Sequence, residues 1–189
     1  MAEKRIKRVL GKESKIACAV LAAVIIVVTP LVVISDINRM YNDVMTVFQE
    51  GAEKDGLSIQ VDLAVRSASA YNLAAVAKRY MGGDNETIQS AELAAKALDE
   101  ADGPAAKYAA NEDLEKAFNR LYEVLGEMEL SEKDEQYRQS LYAEMKSRNR
   151  TMGNDPYNQM AEEYNQKLEQ FPANLLGAVF QLKKAELFQ

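Results

Sequence analysis

Along most of the chain, apolar residues return every three or four positions. One stretch near the start has no polar rhythm at all. Ile16 to Ile34 reads IACAVLAAVIIVVTPLVVI, 19 residues without a charge, bracketed by Lys15 and Asp36. As a helix it would cover about 28 Å, close to the ~30 Å hydrocarbon core of a bilayer. The run is long for the apolar part of a cleaved signal peptide, and Val33-Ile34-Ser35 makes a poor cleavage site. The pattern predicts one transmembrane helix over 16–34. Pro30 is tolerable near a helix end in lipid and predicts a kink there. Ala19 and Ala23 form a small-xxx-small pair that could aid helix association.

From Ile37 onward the spacing is that of amphipathic helices. Tyr41, Val44 and Phe48 open it, and Gly51 and Asp55-Gly56 weaken it. It resumes with Ile59, Leu63, Ala70, Leu73, Ala77 and Tyr80, with Arg66 on the same stripe, so the membrane helix is expected to continue as a stalk. Gly82-Gly83-Asp84-Asn85 reads as a stop, a turn and a new N-cap. A helix over 86–101 follows, with Ile88, Ala91, Ala95 and Leu98 on one face, and Asp102-Gly103-Pro104 breaks it. Asn111 is the expected cap of the next, whose stripe is Leu114, Phe118, Leu121, Leu125 and Met128. Ser131 should cap another, with Tyr137, Leu141 and Met145. Gly153-Asn154-Asp155-Pro156 should bend or split it. Tyr157, Ala161, Tyr164, Leu168 and Phe171 form the last stripe, and Pro172 stops it. No helix here can bury its stripe alone. The expected fold is all-α: one transmembrane helix, then an antiparallel bundle of three or four helices. The domains are expected at 1–15 (basic tail), 16–34 (membrane helix) and 37–189 (bundle).

Charge sets the orientation. The first 15 residues carry a net +4 while the 189-residue chain carries −6, leaving −10 for the rest. The positive-inside rule puts the tail in the cytoplasm and the bundle outside it. An acidic domain is a poor partner for nucleic acid. The chain has no histidine, which excludes Ser-His-Asp and Cys-His nucleophile systems and HExxH zinc sites. Its single cysteine, Cys18, lies inside the apolar run, so no intrachain disulfide can form. Short acidic loops at Asp84-Asn85-Glu86 and Asn154-Asp155 lack the ligand count of a calcium site. No catalytic, cofactor or metal residue is expected.

One segment carries a family signature. Tyr157-Asn158, Ala161, Tyr164-Asn165, Leu168 and Phe171-Pro172 follow the spacing YN..V..YN..I..FP, and this resembles the LemA family. Tyr41-Asn42 is similar to that family's first YN. Arg66, Asn72 and Tyr80 fall where its segment after the membrane helix would place them. The sequence departs at Val65-Arg66, where the family has two basic residues, and at Ala68, Tyr71, Gly153 and Pro156. The resemblance implies a membrane-anchored helical bundle of the bacterial envelope without a known reaction. The seven-residue spacing puts both tyrosines on a buried seam, with each asparagine free to hydrogen-bond a neighbouring helix. Arg66 on a seam position is expected to pair with a glutamate of another helix.

Three functions compete. A scaffold would present the bundle to another envelope protein or to a second copy of itself. A sensing module would hold a small molecule between helices, although a 15-residue tail is short for an output domain. An enzyme would need converging carboxylates, which nothing in the spacing suggests. The tail after Pro172 is apolar, with Leu175, Leu176, Val179, Phe180, Leu182, Leu187 and Phe188. It is expected to pack on the bundle. The alternatives are lipid, which Lys183 and Lys184 would suit, or a partner contacting Leu176, Phe180 and Phe188.

Overall fold

The computed structural model describes residues 14–53 and 55–189, so nearly all of the basic tail at 1–15 lies outside the described residues. Every described element is helical. α1 covers 14–23, a π turn follows at Val24–Val28, and α2 runs Thr29–Glu50. Then come α3 (Ile59–Met81), α4 (Glu86–Glu100), α5 (Pro104–Gly126), α6 (Glu132–Gly153), α7 (Tyr157–Glu169) and α8 (Ala173–Phe180). The chain groups into two compact units. One joins the residues up to Asn42 to Glu163–Lys184; the other joins Asp43–Glu162 to Ala185–Gln189. α2 and α7 each contribute to both.

The unit of Asp43–Glu162 and Ala185–Gln189 is built on a four-helix bundle, α3 to α6, with α3 packed against the other three. Its pairings run in opposite order along α3 and α6. Asp62 meets Arg148, Arg66 meets the Met145 carbonyl, and Tyr80 meets Asp134, so the two are antiparallel. Short connections at 82–85, 101–103 and 127–131 reverse the chain between neighbours. The apolar stripes meet in the core: Leu63, Ala70, Leu73 and Ala77 of α3, Ile88, Ala91, Ala95 and Leu98 of α4, Leu114, Phe118, Leu121 and Leu125 of α5, and Leu141 and Met145 of α6 are buried. Alanine supplies much of the α3 and α4 faces, and small side chains let helices approach closely.

Several boundaries depart from the sequence expectation. The weakening at 51–58 is a complete break. Gly51 has φ +90°, and a Cβ there would collide with the Leu57 carbonyl oxygen. Ser58 then caps α3, accepting from the Val61 amide and donating to the Gln49 carbonyl. α5 begins at Pro104, not at Asn111. Proline at N1 loses no hydrogen bond, and Asn111 becomes a buried residue inside the helix. Asn85 and Ser131 do cap α4 and α6. Met128 and Phe171 are exposed, so their stripes end earlier than the spacing suggested, and Tyr137 is exposed, so the α6 stripe begins only at Leu141. After Pro172 the apolar tail begins with a helix, α8. The tail does not pack as a whole: Phe188 is buried, while Leu175, Val179 and Phe180 are exposed.

The unit of residues up to Asn42 and Glu163–Lys184 contains α1, the π turn, the start of α2, the end of α7 and α8. No helix among the described residues is long and apolar enough to cross a membrane. The apolar run 16–34 is divided among α1, the π turn and α2, and α2 joins its last part to polar sequence. Pro30 accounts for the division. It has no amide to give, and the backbone just before it widens so that Thr29 N–H reaches the Val24 carbonyl five residues back. Helical backbone nevertheless continues from 14 to 50.

Candidate functional site

α3 turns Arg66 inward with Leu63 and Ala70, and its guanidinium is wholly buried. Nη2 donates to Glu115 of α5 at 2.9 Å, and Nη1 donates to the Met145 carbonyl of α6 at 3.0 Å. Lys146 donates to the other Glu115 oxygen at 2.8 Å. Burial pushes the Glu115 carboxyl up, but the hydrogen bonds and charges of Lys146 and Arg66 outweigh it and hold it below its ordinary value. One turn earlier, Asp62 accepts from Arg148 at 3.0 Å. There burial wins: it raises the Asp62 carboxyl by more than Arg148 and Arg66 lower it. Ser69 donates to Glu144 at 3.1 Å, and Arg148 lies 3.9 Å from the same residue. Three cations thus face three carboxylates across α3, α5 and α6. A network balanced in this way ties helices together and presents no uncompensated charge to a substrate.

Tyr157, Asn158 and Tyr164 grip the chain that returns after α8. Tyr157 Oη donates to the Glu186 carbonyl at 2.6 Å. The Asn158 amide bonds the Phe188 backbone both ways: Nδ2 donates to its carbonyl at 2.9 Å, and Oδ1 accepts from its amide at 2.7 Å. The side chain imitates a neighbouring strand, so its partner is an extended segment rather than the helix expected. The Phe188 ring sits against Phe48 and Tyr108, and Phe48 also touches Tyr157. In the other unit, Tyr164 donates to the Lys183 carbonyl at 2.8 Å and its ring lies 5.6 Å from that of Tyr41. Asn165 is half-buried, Leu176 is half-buried, Asn42 and Asn72 are exposed, and Pro172 precedes α8.

A polar cleft of about 390 Å3 opens beside this strap, between Tyr108, Asn111 and Glu112 of α5, Asn149 and Met152 of α6, and Asp155, Asn158 and Phe188. Asn111 is 1% exposed, and its Oδ1 has no protein partner. Burial raises the Asp155 carboxyl; the Tyr157 amide opposes this, and the charge of Asp62 adds to it.

Residues 57–189 match the LemA family. The chain belongs to the LemA family. No curated protein and no solved structure gives a match. The LemA match takes in α3 to α8 together with the 185–189 strap, and so includes Arg66, both Tyr157-Asn158 and Tyr164-Asn165, and Phe171-Pro172. Among the described residues of this LemA chain, no group of three or more His, Cys, Asp or Glu is placed to hold a metal ion. Arg66 pairs with a glutamate of another helix as its seam position predicts, but sequence reasoning did not single out Glu115, and it missed the Asp62–Arg148 pair and the cleft. Glu115 follows Leu114 directly, at the rim of the buried stripe, and a buried arginine demands such a partner. The cleft had no signal, since Asn111 read as a helix cap.

Proposed function

We propose that this LemA chain is a membrane-anchored, non-enzymatic scaffold of the bacterial envelope. Its N-terminus lies in the cytoplasm and its helical bundle lies beyond the membrane. What supports the anchor is the surface of the helical run 14–50: Ile16, Val20, Leu21, Val24, Ile25, Leu31 and Val32 are all exposed. Such a band has no aqueous explanation in a folded chain, and helical backbone continues through the π turn. The non-enzymatic reading rests on the polar groups, which are largely spent on internal ties. Its partner would be another envelope protein or a second copy. Alkaline carbonate treatment of cell membranes should leave the chain in the pellet. Release into the supernatant would defeat the anchor.

A second reading, small-molecule binding, is favoured by the cleft. Asn111 Oδ1 is an unsatisfied acceptor, Glu112 and Asp155 supply negative charge, and Tyr108 and Phe188 supply aromatic faces. A small amine would meet all three. 1,4-Diaminobutane should raise the melting temperature of the chain and leave an Asn111→Leu variant unmoved. Equal response of both would remove this reading.

A further inference from the structure

The unit of residues up to Asn42 and Glu163–Lys184 carries a second exposed apolar surface besides the anchor run. Phe171 is 79% exposed, Val179 71%, Leu175 63% and Phe180 50%. Leu175 and Val179 are four apart, as are Leu176 and Phe180, so α8 shows adjoining apolar rows to its surroundings. α8 contains no charged residue. Water is a poor environment for this surface.

We propose that α8 lies in the headgroup region of the bilayer, with Phe171, Leu175, Val179 and Phe180 turned into lipid. This rests on the anchor proposed above. The placement follows from a cleft of about 430 Å3 within the same unit, lined by Ile34, Asn38 and Tyr41 of α2, by Tyr164, and by Phe180 and Lys183. Ile34 is the last residue of the apolar run. The end of α8 therefore sits at the level where that run would leave the hydrocarbon. Tyr41 and Tyr164 pack together there, and tyrosine favours the membrane–water boundary. Lys183 and Lys184 follow α8 and are exposed, as anionic headgroups would require; Lys184 also pairs with Glu169. An eight-residue helix binds a bilayer weakly alone, but a spanning segment in the same unit keeps it at the surface. That continuity favours lipid over a second copy.

Fluorescence quenching in the full chain tests this. The chain is reconstituted into phosphatidylethanolamine–phosphatidylglycerol vesicles carrying nitroxide lipids, shallow or deep. One sample is labelled at native Cys18. A second carries Cys18→Ser with a label on Val179→Cys, and a third carries Cys18→Ser with a label on Glu123→Cys, which is exposed on α5. Val179 is exposed, so its replacement leaves the fold intact, which circular dichroism checks. The expected result is loss of emission at Val179→Cys with shallow nitroxides, loss at Cys18, which lies near one end of the run 16–34, also with shallow ones, and no loss at Glu123→Cys. Quenching at Cys18 combined with iodide quenching but no lipid quenching at Val179→Cys overturns the placement of α8 and leaves the anchor standing. A label at Val179→Cys protected from both quenchers overturns it in favour of a protein neighbour. Absence of quenching at Cys18 overturns the anchor, and the placement with it.

Discussion

Two cations share Glu115, and the asymmetry between them decides what each substitution does. Arg66 is wholly buried, whereas the Lys146 side chain is 40% exposed. Glu115→Ala leaves a guanidinium in the core with only the Met145 carbonyl, and breaking a buried pair in this way costs roughly 3–5 kcal/mol. Lys146→Ala removes a partner that water can replace, at a cost of about 1 kcal/mol or less. Urea unfolding of the detergent-solubilised chain should show this gap. The Glu115 carboxyl is held below its ordinary value of 4.5. Its contribution to stability is therefore present above 4.5 and lost as pH falls through the depressed value. Glu135 behaves alike at the surface. Its bonds from Arg138 and then Gln139 bring it to about 2, and a carboxyl NMR titration should find that value in the wild type and a return toward 4.5 in Arg138→Met. At this scale Arg66 was legible because a charge on an apolar stripe has few explanations. Glu115 was not, because spacing along one helix does not say what another helix brings to it.

The helices themselves were legible wherever a stripe and a cap agreed. Asn85 and Ser131 sit where side-chain oxygens can reach the first free amides, and both α4 and α6 start after them. α5 was misread because Gly103-Pro104 serves as a start as readily as a stop. With φ +79° at Gly103 and proline at N1, the chain turns directly into helix. The apolar tail was legible only in part: its end, with Phe188, packs as expected, while Leu175, Val179 and Phe180 stay exposed, and hydrophobicity alone does not tell the two parts apart. Its two parts should respond oppositely to substitution. Asn158→Ala removes both bonds to the Phe188 backbone, should cost about 1–3 kcal/mol, and should speed hydrogen exchange at the Phe188 amide. Val179→Ser changes a largely exposed side chain and should stay within about 0.5 kcal/mol in detergent. Similar losses at both positions would show that α8 is packed after all.

For the molecule as a whole, the all-helical bundle could be read from periodicity, and the grouping into two units could not. Residues 37–189 read as one domain because α2 and α7 keep an unbroken stripe while serving both units. Orientation remains a matter of charge. A reporter active only outside the cytoplasm, fused after Gln189, should be active, and its cytoplasmic counterpart silent. The reverse pattern would mean that the +4 of the first 15 residues does not govern insertion.

The Phe48–Phe188 contact also has a consequence in time. Its two rings come from either side of the bundle's sequence, with α3 to α8 between them. The entropy of closing so long a loop grows only with the logarithm of its length, so the contact is affordable at equilibrium. Before the bundle exists, however, nothing brings the two ends together, and distant pairings form slowly. The strap should therefore be the last element to dock on refolding and the first to leave. Pulse-labelling during refolding should protect the amides of α3 and α6 before that of Phe188.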